Sequence, residues 1–565
     1  MIDSAQVDRF VHERLPAPAQ MPRLIFDAPE LQFPMQLNAV EELLDKAAQK
    51  GFADRPMLRS DGLTLSYAQA QDRVNRIAQV LVQDFGLVPG NRVLLRGGNS
   101  IGLALAWLAV VKAGLIAVAT MPLLRAKELG EIIDKAQPSV ALCDAKLLQE
   151  LQLARTQYPV LKTIVAFSVA KESGSVRAES VEGAEGIDRI SPSGSDGLLE
   201  ILAASKDGNF PPCATAAADI AMLAFTSGTT GKPKAAVHTH RDVLAACETW
   251  PRHVLRATPD DIVMGSPPLA FTFGLGGMLV FPMWAGASVY FPSIPYTPQA
   301  MAGLIFDSKA TICYTAPTFY RQMAPFIKSL IAERGAPALR ICVSAGEGLP
   351  DATRQLWKDA SGIEMLDGIG ATEMFHIFIS SAPDDVRRGA IGKVVPGYQA
   401  RVVNDDGADV PRGTVGKLAV IGPTGCKYMD DARQATYVKD GWNFSGDAFL
   451  QDDDGYFFYQ ARTDDMIITS GYNVGAPEVE DALLKHPAVA ECGVIGKPDD
   501  ARGMIVKAFC VLKPGFDANE VLVKALQDHV KTSIAPYKYP REIEFPASLP
   551  RTETGKLQRF RLKQL

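Results

Sequence analysis

Eight cysteines are scattered from Cys143 to Cys510, but the sequence has no Cys-x-x-Cys pair and no Cys/His cluster. Neither a structural zinc site nor a disulfide framework is expected, and reduced thiols fit a cytoplasmic protein. A charge excess is missing as well: 58 basic against 64 acidic side chains leave a formal charge of −6. That balance supplies no general attraction to nucleic acid or to an anionic membrane, so any anion site must be local. The first residues, MIDSAQVDRFVHERLPAP, carry early acids and no apolar centre, and so do not read as a secretory signal. An uninterrupted membrane-spanning run is also lacking. The nearest candidate, IGLALAWLAVVKAGLIAVATMP at 101–122, has Lys112 in its middle and is divided by Gly114. A buried helix ending near Gly114, followed by a core strand, is expected instead.

What the sequence does have is length and alternation. At 565 residues it exceeds the size at which one hydrophobic core stops growing, so several domains are expected. From about 35 to 460 helix-like and strand-like segments alternate. LTLSYAQAQDRVNRIAQVLVQDFG reads as a strand and then an amphipathic helix; NRVLLRGG, SVALCD, ATICYTA and LRICVSAG read as short strands. Such alternation implies an α/β fold of mostly parallel sheets covered by helices. The Ser- and Gly-rich stretch 168–197 is expected to be an exposed loop or irregular insertion. From about 385 to 463, short strands with Gly turns (ARVVNDDGADV, GKLAVIG, GYFFYQ) suggest a small β-rich subdomain closing a large N-terminal domain of residues 1–463. A compact α+β unit then occupies 464–565. In it Pro477 opens a helix through Leu484, AECGVIG and IVKAFCVL are strands, ANEVLVKALQDHVKTSI is a helix and REIEFPAS is a last strand.

The stretch FTSGTTGKPKA, from Phe225 to Ala235, packs two glycines, four hydroxyl side chains and two lysines into eleven positions. Hydroxyl donors and ammonium groups on a backbone free to curl favour an anion, and phosphate is the natural guest. A flexible linker has similar composition. Position argues against a linker, because the apolar run IAMLAF precedes the loop and AAVHTH, a second strand leading into a helix near His240, follows it. The spacing is not that of a Walker loop, since Gly228 to Lys232 is too short and Pro233 comes next.

TSGTTGKPKA (226–235), GIGATE (368–373), SGDAF (445–449), ARTDDMIITSGYNV (461–474) and PRTETGKLQR (550–559) together resemble the adenylate-forming superfamily of acyl-CoA synthetases, peptide-synthetase adenylation domains and beetle luciferases. The resemblance implies ATP, Mg²⁺ and coenzyme A as partners, a mobile C-terminal domain, and two half-reactions. A carboxylate attacks the α-phosphorus of ATP to give an acyl-adenylate and pyrophosphate, and a thiol then displaces AMP. By resemblance Thr226, Ser227, Gly228, Thr229, Thr230 and Lys234 wrap the β- and γ-phosphates, and Gly346, Glu347, Asp367, Gly368 and Ile369 border the adenine. Thr372 binds the α-phosphate, Glu373 ligates Mg²⁺, and Asp447 accepts from the ribose hydroxyls with Arg462 bracing the nucleoside. Lys556 supplies the ammonium of the adenylation step, Asp464 is the hinge, and Gly471 lines the thiol tunnel after the domain swings.

The run DGIGATEMFHIFIS (367–380) resembles ligases acting on benzoate and 2-aminobenzoate. PPLAFTFGLGG (267–277), where the family's acyl pocket begins, has no acid to hold an α-ammonium, which weighs against an amino-acid substrate. A pocket walled by Phe271 and Phe273 suits a ring, with His376 or Thr272 as the polar partner of an ortho substituent. A lone His between Phe375 and Ile377 also suits an ordinary core position. The expected activity is an AMP-forming aromatic acid:CoA ligase. The alternatives are a medium-chain fatty acyl-CoA ligase, a non-catalytic nucleotide- or acyl-binding regulator, or a loader of a separate carrier protein. A homodimer is compatible with this reading, and neither nucleic acid nor membrane is an expected partner.

Overall fold

The computed structural model describes residues 3–168, 198–226, 233–462, 465–469, 472–499, 502–551 and 556–565, and the structural statements below concern those residues. The loop expected over 168–197 therefore lies outside them except for Ser168.

Six strands form one sheet in the spatial order Thr163–Phe167, Val140–Asp144, Arg92–Arg96, Ile116–Thr120, Ile220–Thr226, Lys234–Thr239. Neighbours are parallel except the last pair, a hairpin in which Thr226 stands opposite Lys234. The strands are apolar at nearly every position because both faces are covered. Leu95, Leu142 and Ala224 belong to the main core, and Leu94, Ala141 and Leu223 to a second cluster on the other face.

A nine-stranded sheet lies against the first. Its centre is parallel, in the order Met365–Gly370, Ile341–Ser344, Ile312–Thr315, Ile262–Gly265, Ser288–Tyr290, Pro56–Ser60, and its edges are antiparallel. The main core holds side chains of both sheets together with the helix Ile101–Lys112. That helix is buried at every position except Gly102, which explains its membrane-like composition. Lys112 sits at its end with its ammonium on the Asp45 carboxylate at 2.6 Å and on the Asn75 side chain. Unpaired, such a buried charge would be strongly destabilising. Among the described residues no helix is long and apolar enough to cross a membrane.

The remaining sheets are smaller. Gln399–Val403, Gly416–Ile421, Trp442–Gln451, Val438–Lys439 and Phe457–Arg462 pair antiparallel throughout. Further on, Val489–Asp499 and Gly503–Leu512 make a long hairpin, with Ile467–Thr469 and Tyr472–Val474 on one side. The final strand, Glu542–Glu544, is shorter than REIEFPAS suggests and joins in parallel. The helices Ala476–Leu484 and Glu520–Ser533 cover this sheet over a separate core that includes Val479, Val494, Val506 and Leu526. Pro477 stands in the first turn of its helix, where a missing N–H costs nothing.

Contacts between this last unit and the nine-stranded half are polar. Arg321 donates to the Ala490 carbonyl at 3.2 Å, and the Asp481 carboxylate accepts the Ala352 N–H at 2.9 Å. The whole is a mixed α/β fold, rich in parallel strands, with a small C-terminal domain.

Candidate active site

Strands Ile262–Gly265, Ile312–Thr315, Ile341–Ser344 and Met365–Gly370 run parallel and side by side, so their carboxyl ends share one rim. In open α/β sheets ligands bind at that rim. The AGEG turn follows the third of these strands, and Asp367, Gly368 and Ile369 lie in the fourth. The sequence-expected adenine residues are therefore neighbours.

Gly346 has φ +92°, a conformation that disfavours a side chain. A Cβ there would stand 3.6 Å from Cε and 4.0 Å from Nζ of Lys556, so the lysine from the far end of the chain lies directly over this glycine. The Glu347 carboxylate accepts from the Thr318 hydroxyl at 2.7 Å, with the Arg551 guanidinium 3.9 Å away. Burial raises its carboxyl above the ordinary range, against the pull of Thr318, Arg551 and Lys556. Asp447 faces Arg462 across an antiparallel pair, and Arg462 donates to its carboxylate at 3.1 Å and to the Ser445 carbonyl at 2.9 Å. Burial raises Asp447 too, opposed by Arg462. Lys556 keeps an exposed surface, yet the protein crowded around its ammonium lowers it; Glu347 and Asp447 oppose the shift and Arg462 adds to it. Asp367, 5% exposed, is pushed up to about 7 by burial. Glu347, Asp447, Arg462 and Lys556 thus form one electrostatic cluster around Gly346.

The hairpin expected to bind phosphate forms one edge of the other sheet. Thr226 and Lys234 are its last paired positions; Ser227, Gly228, Thr229 and Thr230 lie outside the described residues, as do Asp464 and Gly471. Lys234 donates to the Tyr428 hydroxyl at 3.2 Å, and the same hydroxyl donates to the Glu373 carboxylate. Thr372 opens a short turn, Thr372–Met374, and its carbonyl accepts from His238 at 2.8 Å. Sequence reasoning missed Tyr428, His238, Thr318 and Arg551, because their roles are set by contacts from remote segments that no local pattern announces.

The side where the sequence places an acyl pocket is built of rings. His376, 4% exposed, packs against Trp250 at 5.2 Å, Phe273 at 5.4 Å and Phe281 at 4.6 Å between centroids. Tyr314 adjoins Phe273 and Trp250. Apart from the Phe273 backbone beside it, neither ring nitrogen of His376 has a well-formed hydrogen bond, and the Trp250 N–H and Tyr314 hydroxyl are likewise unpaired. Burial lowers His376 to about 3, so its ring is neutral. Thr272 is buried at the start of the short helix Thr272–Leu275, whereas Phe271 is half-buried and stands outside the described ring pairs. Gly276 and Gly277 let the rings approach: a Cβ on Gly276 would meet His376 at 2.7 Å, and one on Gly277 would meet Tyr314 at 2.7 Å. Trp250, Phe281 and Tyr314 were also absent from the sequence reading.

One carboxylate, Glu373, is linked to Lys234 through the Tyr428 hydroxyl; among the described residues no group of three His, Cys, Asp or Glu side chains forms a metal cage. That donor set fits Mg²⁺, which is commonly held by one or two carboxylates and by substrate phosphates.

Residues 44–427 match the model of the AMP-binding enzyme family, and residues 478–556 match that of the AMP-binding enzyme C-terminal domain. The chain belongs to the AMP-binding enzyme family. A benzoate–CoA ligase from Thauera aromatica is 34% identical over 95% of this chain and 97% of the relative. Among solved structures, an anthranilate CoA ligase in complex with anthranoyl-AMP superposes with a TM-score of 0.85 at 32% identity, covering 95% of this chain and 98% of that one. A benzoate CoA ligase from Burkholderia xenovorans LB400 gives a TM-score of 0.78 at 29% identity, covering 93% and 99%.

Proposed function

We propose that this AMP-binding enzyme is an aromatic acid:CoA ligase that consumes ATP and releases AMP and pyrophosphate, with benzoate or 2-aminobenzoate as the preferred class of acid. The observation that carries the reading is the position of Lys556, over Gly346 and within electrostatic reach of Glu347 and Asp447. An ammonium so placed answers the negative charge that gathers as a carboxylate approaches an α-phosphate. The likeness to ligases acting on benzoate and anthranilate supports the choice of acid.

In this reading the acid's oxygen attacks the α-phosphorus, the bond to pyrophosphate breaks, and the acyl-adenylate remains. The CoA thiolate then attacks the acyl carbon and AMP leaves. Thr372 would steady the α-phosphate, and Asp447 would accept from the ribose hydroxyls with the lone pairs that Arg462 leaves open. Glu373 would hold Mg²⁺, which neutralises phosphate charge when bound. Thr226, Ser227, Gly228, Thr229, Thr230 and Lys234 would enclose the outer phosphates. His376 and Thr272 would offer polar contact to a ring substituent among apolar walls. Asp464 as hinge and Gly471 as tunnel wall complete the assignment, with residues 464–565 as the moving body.

The test is a panel of acids assayed by CoA-dependent AMP release. Benzoate or 2-aminobenzoate should give the highest kcat/KM. A preference for octanoate over every benzoate would overturn the aromatic reading, and tight ATP binding without turnover of any acid would favour a regulator.

A further inference from the structure

Thr372 and Glu373 lie on a turn that ends in an unusual backbone conformation: Phe375 has φ +70° and ψ −50°. A bulky residue holds that region only where its neighbours over-determine it. Three side chains grip the turn. The His238 ring donates from Nε2 to the Thr372 carbonyl at 2.8 Å, an oxygen that also accepts the Phe375 N–H at 3.1 Å. The Thr424 hydroxyl donates to the Met374 carbonyl at 2.8 Å, and the Tyr428 hydroxyl donates to Glu373. His238 also meets the Phe375 ring edge-on, 5.2 Å between centroids.

His238 belongs to the strand Lys234–Thr239, one arm of the phosphate hairpin. A single buried ring therefore joins the hairpin to the turn that carries Thr372. A carbonyl can only accept, so the proton of the neutral ring resides on Nε2. The opposite nitrogen, Nδ1, has no hydrogen-bond partner and stands 3.9 Å from the Asp242 carboxylate, which Lys427 holds at 2.5 Å. Burial keeps the ring neutral, lowering it to about 4 against the pull of Asp242.

We propose that His238 is a positioning residue for the adenylation step: through the Thr372 carbonyl it sets the turn bearing Thr372 and Glu373 at a fixed height relative to the phosphate hairpin. The inference rests on Thr372 as the α-phosphate contact. A histidine used only for packing would be replaceable by an apolar ring of similar size, whereas a positioning donor would not.

The test compares His238→Phe, His238→Gln and Thr372→Val in the full chain, measuring ATP–pyrophosphate exchange with benzoate. His238→Phe should lower kcat about 10- to 100-fold, the scale of a small misplacement of reacting groups, with the KM for benzoate unchanged. His238→Gln keeps an N–H donor and should recover most of the loss. Thr372→Val should be at least as impaired as His238→Phe. If Thr372→Val is impaired while His238→Phe exchanges at the wild-type rate, the positioning role is wrong and the Thr372 assignment survives. If Thr372→Val exchanges at full rate, that assignment fails and takes the inference with it. Should His238→Phe not fold, Thr424→Val, which removes the donor to Met374, reads the same grip and should lower kcat about 3- to 10-fold with the KM for benzoate unchanged. Equal impairment of the Gln and Phe variants, both folded, would reduce His238 to packing and overturn the proposal.

Discussion

The charged cluster around Gly346 and the ring cluster around His376 are made differently. The nucleotide wall is polar and discontinuous: Glu347, Asp447, Arg462 and Lys556 come from separate stretches of chain and meet around one glycine. The acyl wall is a packed cluster of Trp250, Phe273, Phe281, Tyr314 and His376, with glycines where the rings come close. In the proposed function, charge would perform the chemistry on one side and volume would select the substrate on the other. A change to the first wall should therefore act on kcat with any acid, and a change to the second should act on the choice of acid.

The largest effect that separates the walls is expected from Lys556→Ala. Loss of one preorganised charge-stabilising group removes about 10²- to 10³-fold in rate, roughly 3 to 4 kcal/mol, so exchange between pyrophosphate and ATP should fall by that factor with every acid tested. Thioester formation from a supplied acyl-adenylate should fall far less. The pH profile gives an independent reading. The ammonium is the useful form and its pKa is lowered, so activity should decline on the alkaline side below the ordinary lysine value. Lys556→Arg should push that limb upward, and an unshifted limb would separate it from Lys556.

Next comes Asp367, a carboxyl of the nucleotide wall buried with Arg354 as its opposing charge. Its folded pKa of about 7 lies above the unfolded value of about 3.8, so the folded chain binds more protons between those limits. Its contribution to stability is complete below about pH 4 and is lost as pH rises toward about 7. Asp367→Asn removes that slope. Urea unfolding at pH 5 and pH 8 should show the wild type losing stability relative to the variant by an amount on the order of 2 kcal/mol or more. Parallel curves would place the carboxyl in a wetter setting than its burial indicates.

On the acyl wall, Gly276→Ala should cost about 1 to 3 kcal/mol of stability through overpacking, because its Cβ would press on His376 and Phe281. Its kcat/KM for benzoate should fall about tenfold, on the scale of a change of one methylene in a pocket, while the KM for ATP stays put. Equal loss for ATP and acid would erase the distinction between the walls.

The same distinction decides what could be read from the chain beforehand. The strings assigned to the nucleotide by resemblance, such as AGEG, GIGATE and SGDAF, stood out because each is a short local motif, and the fold brings AGEG beside DGIG and the Asp447–Arg462 pair near Lys556. The alternation of strands and helices was legible because both sheet faces are buried, leaving runs such as IAMLAF with no polar position. The acyl wall was legible only in part. Phe273 and His376 stand in suggestive strings, but Trp250, Phe281 and Tyr314 are ordinary core residues until packing brings them beside His376. Lys112 showed in the sequence as an anomaly, and its partners Asp45 and Asn75 became visible only in three dimensions.

The smallest effect lies where the C-terminal unit meets the rest. Lys485 reaches Asp481 on its own helix at 2.8 Å and Asp351 across the seam at 3.5 Å, while Asp351 is also held by Arg388. The Lys485 side chain is 43% exposed, so solvent screens the pair and its net contribution should be no more than about 0.5 kcal/mol. Lys485→Ala should change steady-state AMP release less than twofold, and the difference should vanish near 0.5 M salt, where the screening length is only about 4 Å. A seam of weak polar contacts suits the proposed movement of the C-terminal unit, since no single contact would then govern its departure. If Lys485→Ala instead altered turnover fivefold or more, one surface ion pair would be controlling the exchange of Lys556 into and out of the cleft, and the nucleotide wall would owe its charge to a latch as much as to its own carboxylates.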